Sequence, residues 1–340
     1  MSKGRVSFGI TLPIFHSLPA ECIEVALAAE EAGLDGVFVF DHFYPPRIAV
    51  QRTKDRQVTT TEARTEDSAI PGQTDPEGRI SNRLVAPDCF VLLGAVAAAT
   101  KRVRVGPLVA RSWLRPPAVT ARALVSLHEV APERVIAGLG VADSYSALEL
   151  EVFGVSLPPV NVRLRALERT IESIRQIESE LGTRVPIWIG GCSPSLQAMA
   201  SKWSCGVNLW NADAGALVDC LGEKAISEVT WGGDLRYLGV FGRSRASRSL
   251  TVEGRGDLPG AGGAPQTTGG AAPRMTAGGK KTSNASELVS VASVKAAADR
   301  LEALADAGAS WMVLGLSRTE DLSIALELVR ETRARLEFSG

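Results

Sequence analysis

The chain has 340 residues, 45% of them hydrophobic and 22% charged, with 37 Lys and Arg set against 38 Asp and Glu for a formal net charge of -1. That length leaves room for one large unit with insertions, and the composition supplies a sizeable core. The balanced charge gives no positive field for a phosphate backbone or an anionic bilayer, which argues against nucleic-acid and membrane partners.

Short apolar, β-rich runs alternate with longer stretches of helical periodicity. The first strand is expected over 6–12 and the first helix over 19–32, with Pro19 tolerated in its opening turn and Gly33 suited to the position just past its end. A second strand follows at 36–40. Next come a buried helix at 89–100, a strand at 103–109, a helix at 117–130 and a strand at 134–140. An amphipathic helix over 163–181, closed by Gly182, leads to a strand at 185–189; a helix at 194–203 and a strand at 206–210 follow. The rhythm weakens after a helix near 214–226. A strand belongs somewhere in 229–241, although Trp231-Gly232-Gly233 interrupts its pattern. Helix 293–307, strand 311–316 and helix 321–336 complete the series.

This succession of βα units predicts an α/β fold, a (β/α)₈ TIM barrel, with an open doubly wound sheet as the alternative. Two segments fall outside the rhythm, one after strand two and one after strand seven. The first, 45–87, reads as an insertion loop on the active-site face. The second, 243–286, is rich in Gly, Ala, Arg, Ser and Thr with almost no apolar periodicity and is expected to be largely disordered, with a local frame slip in place of a normal lid as the alternative. The whole chain otherwise reads as one domain.

Five scattered cysteines, none in a C-x-x-C arrangement, read as reduced thiols in a cytoplasmic protein. The amino terminus has no signal-peptide pattern, the longest apolar run is too short to cross a bilayer, and no metal-ligand spacing occurs.

Only three histidines are available for proton transfer near neutral pH: His16, His42 and His128. His42 follows strand two directly, in Phe38-Val39-Phe40-Asp41-His42-Phe43, where a barrel presents residues to a ligand. The alternative is that Asp41 and His42 pair structurally with each other. His16 is placed to line the mouth after strand one, and His128, inside a helix, reads as structural. The interruption Gly106-Pro107 within the segment Val105 to Arg111 suggests a bulge or kink rather than a plain strand, with a local packing adjustment as the other reading. Two glycine-bearing rims, Gly138-Leu139-Gly140-Val141-Ala142-Asp143 and Gly190-Gly191-Cys192-Ser193, are phosphate-site candidates, because glycine lets backbone N–H groups approach an anion; tight turns are the other reading. Neither a G-x-G-x-x-G after strand one nor a Walker lysine motif is present.

In this order the segments AxxAEEAGLDGVFVFDH, VRVGPLVARSWLRPPAVTA, ERVIAGLGVADS, RLRALERTIESIR and VPIWIGGCSP resemble the luciferase-like monooxygenase superfamily, particularly its coenzyme F420-dependent branch. The resemblance implies an oxidoreductase whose barrel holds a deazaflavin, or FMN as the alternative, at the strand ends. It places His42 near the ring, a nonprolyl cis peptide at about Leu108 and Val109, and ring or tail contacts at Gly140 to Asp143 and at Gly190, Gly191 and Ser193. Asp41-His42 is closer to the deazaflavin branch than to the Glu-His of luciferases. The catalytic candidates are His42 and Asp143, and the cofactor-binding set is Asp41, His42, Leu108, Val109, Ala110, Gly140, Val141, Ala142, Asp143, Gly190, Gly191 and Ser193. Related sugar-phosphate dehydrogenases carry Glu near Asp143, a departure that weakens a proton-donor role there. The expected substrate is a small organic molecule; an FMNH₂-dependent monooxygenase and a noncatalytic flavin-binding relative are the alternatives, and the resemblance leaves a homodimer open.

Overall fold

The computed structural model describes residues 5–43, 86–142, 146, 149–150, 153–222, 226–240 and 291–338. Most of 45–87 and all of 243–286 lie outside these residues, as does Asp143. The described chain runs β1 (Ser7–Thr11), α1 (Pro19–Glu31), β2 (Gly36–Val39), α2 (Cys89–Ala99), β3 (Arg104–Pro107), β4 (Ala110–Arg111), α3 (Pro117–Val130) and β5 (Ala137–Gly140). It continues with α4 (Val160–Leu181), β6 (Ile187–Gly190), α5 (Pro194–Trp203), β7 (Gly206–Trp210), α6 (Ala214–Leu221), β8 (Val229–Asp234), α7 (Val291–Asp306), β9 (Trp311–Gly315) and α8 (Asp321–Phe338).

All strand pairs are parallel, in the order β3-β2-β1-β9-β8-β7-β6-β5-β4. Nine strands appear among the described residues where eight were expected, because the third is broken, directly after Gly106-Pro107, into β3 and β4. The peptide bond at the break, Leu108–Val109, is cis. The two halves close the barrel: Val105 bridges to Val135 below the break, and Ala110 pairs with Leu139 above it. Glycine is required where these strands meet, since a Cβ on Gly106 would lie 1.8 Å from the Ile136 carbonyl oxygen and one on Gly138 would lie 2.0 Å from that of Pro107.

The Gly-Gly pair in β8 does not end that strand, contrary to the expectation from its pattern. Its glycines make room for rings: a Cβ on Gly232 would come within 2.5 Å of Trp210, and one on Gly233 within 2.4 Å of the Trp231 side chain. Helix α6 ends at Leu221, ahead of the expected Ile226. Gly33 and Gly182 do adopt the left-handed backbone expected past α1 and α4, with φ of 79° and 64°.

Aliphatic residues from the strands' outer faces pack beneath the helices. The barrel interior is aromatic, built on Phe38, Trp188 and Trp311, with ring centroids 5.4–5.9 Å apart, together with Leu108, Ile136 and Val313. Gly9 and Gly36 leave space for these rings. The lower barrel is therefore a filled core, and a ligand has access only at the strand ends. No helix among the described residues is long and apolar enough to cross a membrane.

Cys192 and Cys220 form a disulfide, which corrects the reading of all five cysteines as reduced thiols. The bond joins the loop after β6 to α6, a proximity created by the βα winding and invisible as a sequence spacing. Cys22, Cys89 and Cys205 are free and buried; burial pushes the Cys22 thiol up to about 12 and that of Cys205 to about 11, and raises Cys89 as well. None of these three is poised as a thiolate nucleophile.

Candidate active site at the carboxyl ends of the strands

β2 delivers Asp41 and His42 to opposite sides of the barrel wall. Asp41, 2% exposed, is directed into the helical layer. There its Oδ2 accepts the Arg111 backbone N–H at 2.9 Å and lies 3.1 Å from Arg115 Nη1. With those partners its carboxylate is committed to protein groups. His42 retains 27% side-chain exposure and has Phe15 and Phe40 at ring-centroid distances of 6.5 and 6.3 Å. It does not pair with Asp41. Its Nδ1 lies 2.7 Å from Oε2 of Glu149, a residue in helical backbone after β5.

The strand break determines what lies beside His42. Leu108 is buried in the barrel interior and Ala110 packs outward beneath the helices, whereas Val109, half-buried, projects into the mouth. A Cβ on Gly140 would lie 2.4 Å from Val109 Cγ2, and one on Gly190 would lie 2.9 Å from the same methyl. The two rim glycines thus provide the space that the Val109 side chain occupies, a packing role not anticipated from their sequence pattern. Trp210 fills the opposite side, above Gly232 and Gly315, with Phe40 5.1 Å away by ring centroids. Phe40, Val109 and Trp210 are each half-buried at the strand ends, Val109 and Trp210 packed over the interior cluster and Phe40 against Trp210, and they make the apolar ledge of the mouth.

Two flanking loops are held from behind. Ala142 has a positive φ of 64°, and the Val141 and Ala142 carbonyls each accept from Arg163 Nη1 of α4 at 2.6 Å. Trp113 Nε1 donates to the Val141 carbonyl at 3.2 Å. Gly191, with φ of 99°, donates its N–H to the Asn208 carbonyl at 2.8 Å, and Ser193 is the exposed N-cap of α5. The 190–193 loop is also tethered by the Cys192–Cys220 bond. His42, Val109, Gly140 and Gly190 are brought together at one mouth, Leu108, Ala110 and Asp41 turn their side chains away from it, and Asp143 falls outside the description.

His16 is exposed near the end of β1. Its pKa is lowered, first by partial burial and then by the Arg318 and Arg236 guanidiniums, with Asp321 opposing. His128, in α3, meets Thr183 Oγ1 through Nε2 at 2.6 Å, a contact between helix and loop remote from the mouth.

Sequence reading missed Glu149, Arg111, Arg115, Asp88 and Arg163. Arg111 is 2% exposed, lies 3.4 Å from Glu149 Oε1 through Nη1, and stacks over the Phe43 ring at 4.8 Å. Arg115 reaches both Asp41 and Asp88, and Asp88 caps α2 through the Phe90 and Val91 N–H groups. The only sequence signal for this network was two arginines directly after a strand on the functional face. Among the described residues no group of three potential ligands is arranged for a metal ion.

A closed parallel barrel with a half-buried imidazole, an apolar ledge and glycine-backed loops gathered at its strand ends has the organisation of a barrel enzyme. The family model for luciferase-like monooxygenases matches residues 6–221, and the chain belongs to that family. Curated relatives include F420-dependent glucose-6-phosphate dehydrogenases from Kineococcus radiotolerans, 32% identical over 163 residues (48% of this chain and 38% of the relative), and from Nakamurella multipartita, 26% identical over 227 residues (61% and 56%). The chain thus spans about half or less of the length of these two relatives. Among solved structures, an F420-dependent secondary alcohol dehydrogenase superposes with a TM-score of 0.60 at 17% identity, covering 97% of this chain and 99% of that one. The coenzyme F420-dependent tetrahydromethanopterin reductase from Methanopyrus kandleri gives 0.57 at 14% identity, covering 98% and 100%. These two likenesses confirm the barrel.

Proposed function

We propose that the protein is a coenzyme F420-dependent oxidoreductase acting on a small organic substrate. The observation that carries this reading is the mouth itself, where His42 stands beside the apolar ledge of Phe40, Val109 and Trp210 in a chain of this family. A flat ring fits such a ledge, because the rim glycines draw Val109 close to the strand ends and leave an aliphatic face at the entrance. Val109, Phe40 and Trp210 would hold the ring, and the 140–142 and 190–193 loops, with Ser193 at a helix N-terminus, would hold its anionic tail. When bound, the deazaflavin supplies or accepts the hydride.

The chain's own part is to orient the reactants, exclude water with the aromatic rim, and move a proton. His42 is assigned the proton, because its ring is partly exposed at the mouth while its Nδ1 is engaged by protein.

Titration with F420 and with FMN, followed by absorbance and fluorescence, tests the cofactor. Tighter binding of F420, with oxygen-independent turnover, is expected; FMN preference with oxygen-dependent turnover would replace this reading by a monooxygenase. In the F420-loaded enzyme, His42→Gln should lower single-turnover hydride transfer by about 10² to 10⁴ with cofactor affinity little changed. A rate near wild type in folded, cofactor-loaded His42→Gln would remove His42 from proton transfer.

A further inference from the structure

We propose that Glu149 is a positioning residue for His42: it accepts the Nδ1–H and so leaves Nε2 as the nitrogen free to exchange a proton at the mouth. The inference rests on His42 being the acid–base group of the proposed reaction, and its test reads the imidazole directly.

The geometry is specific at both carboxylate oxygens. Glu149 is 3% exposed, and its Oε2 lies 2.7 Å from His42 Nδ1. Its Oε1 accepts the backbone N–H of Phe43, the residue next to His42, and lies 3.4 Å from Arg111 Nη1. Phe43 N–H and Arg111 can only donate, so Oε1 acts as an acceptor toward both, and a carboxylate set against the Arg111 charge is an acceptor toward His42 at Oε2 as well. Nδ1 must then carry the hydrogen, and the neutral ring exists as the Nδ1–H tautomer with an unprotonated Nε2.

A second layer holds the acceptor in place. Arg111 is nearly enclosed, and among the described residues no nitrogen of its guanidinium makes a hydrogen bond of good geometry. Its charge is balanced instead by Glu149 on one side and by Asp41, whose Oδ2 lies 3.7 Å from Arg111 Nε, on the other. Asp41 does not compete for the imidazole, because its oxygens face Arg115 and the Arg111 N–H. Glu149 is thereby the one acidic group set against His42 among the described residues. It is 107 positions away in sequence, and the barrel closure brings the two together.

Two-bond ¹H–¹⁵N spectra of protein labelled at histidine test the assignment, and the chain's three histidines make each ring identifiable by single His→Gln substitutions. The neutral ring of wild-type His42 is expected in the Nδ1–H form. Glu149→Met, which removes the acceptor, should shift it toward the Nε2–H form and lower the single-turnover rate by up to about 10²-fold, the lower end of a general acid or base contribution. Glu149→Gln retains an acceptor oxygen and should restore part of both. Wild-type His42 in the Nε2–H form, or an unchanged tautomer in folded Glu149→Met, would overturn the proposal. The wild-type spectrum is decisive even where Glu149→Met fails to fold. The expected tautomer combined with no F420 turnover would leave the positioning role standing and remove the proposed reaction.

Discussion

Arg115 Nη1 lies 3.1 Å from Asp41 Oδ2, while its Nη2 lies 2.7 Å from Asp88 Oδ2. One guanidinium therefore fastens the end of β2 to the N-cap of α2. Asp41 is almost fully enclosed, with 1% side-chain exposure against 19% for Arg115, so the pair is a buried one. Removing one partner of a buried ion pair leaves an uncompensated charge. Arg115→Met should cost about 3 kcal/mol, the lower end of that class, because the Arg111 N–H still serves Asp41. Urea unfolding measures it, and a loss comparable to an exposed pair, under about 1 kcal/mol, would contradict the account.

The fit of Val109 against the rim glycines predicts a compensating pair of substitutions. Gly140→Ala places a methyl against a short, β-branched side chain and should destabilise by about 1–3 kcal/mol, as overpacking does. Val109→Ala should recover most of that loss in the double variant. Gly138→Ala should not be recovered by Val109→Ala, because the added methyl meets the Pro107 carbonyl. Thermal melts of the two cycles distinguish the cases, and equal recovery in both would contradict the packing described.

Glu30 predicts a pH effect. Its carboxylate, 8% exposed, accepts the N–H groups of Lys101, Arg102 and Val103 at 2.9, 2.6 and 3.0 Å and so secures the turn into β3. Burial acts to raise its pKa, but those three N–H groups and the Arg102 charge together bring it below the usual carboxylate value. A depressed folded-state pKa contributes stability that is complete above the unfolded value, about 4.3, and is lost as pH falls through the folded value. Glu30→Gln should therefore be less stable than wild type at neutral pH, with the gap narrowing in acid. Urea midpoints measured from pH 7 to pH 3 check this, and a gap that widened in acid would reverse the sign.

Thiol counting tests the cross-link. Of five cysteines, three should react in denaturant without reductant and all five after reduction. In the native protein the three free thiols should react slowly, since each is buried with a raised pKa. Five reactive thiols in the unreduced, unfolded protein would show that Cys192 and Cys220 are not joined.

The barrel was legible because its signals are local. Buried β-rich runs, Pro19 and Pro194 in first turns, and Gly33 and Gly182 at helix ends all act within a few residues. So was the location of the mouth, since polar residues directly after strands of a parallel barrel collect on one face. What escaped depends on contacts across the fold. Gly232 and Gly233 look like a strand terminator until the Trp210 and Trp231 rings are placed above them. Gly140 and Gly190 look like anion turns until Val109 is seen against them. Glu149 sits in an unremarkable acidic stretch, and only closure of the barrel gives it His42 as a neighbour.

The Ala86 N–H donates to the Phe43 carbonyl at 2.9 Å, so the chain leaves the barrel and returns to it at a single point. The two ends of the intervening stretch are therefore fixed side by side. Lengthening a loop of fixed ends costs only about 0.6 kcal/mol per doubling, so a join of this kind tolerates changes of length between its ends. The closure between Phe43 and Ala86 can persist when the number of residues between them changes.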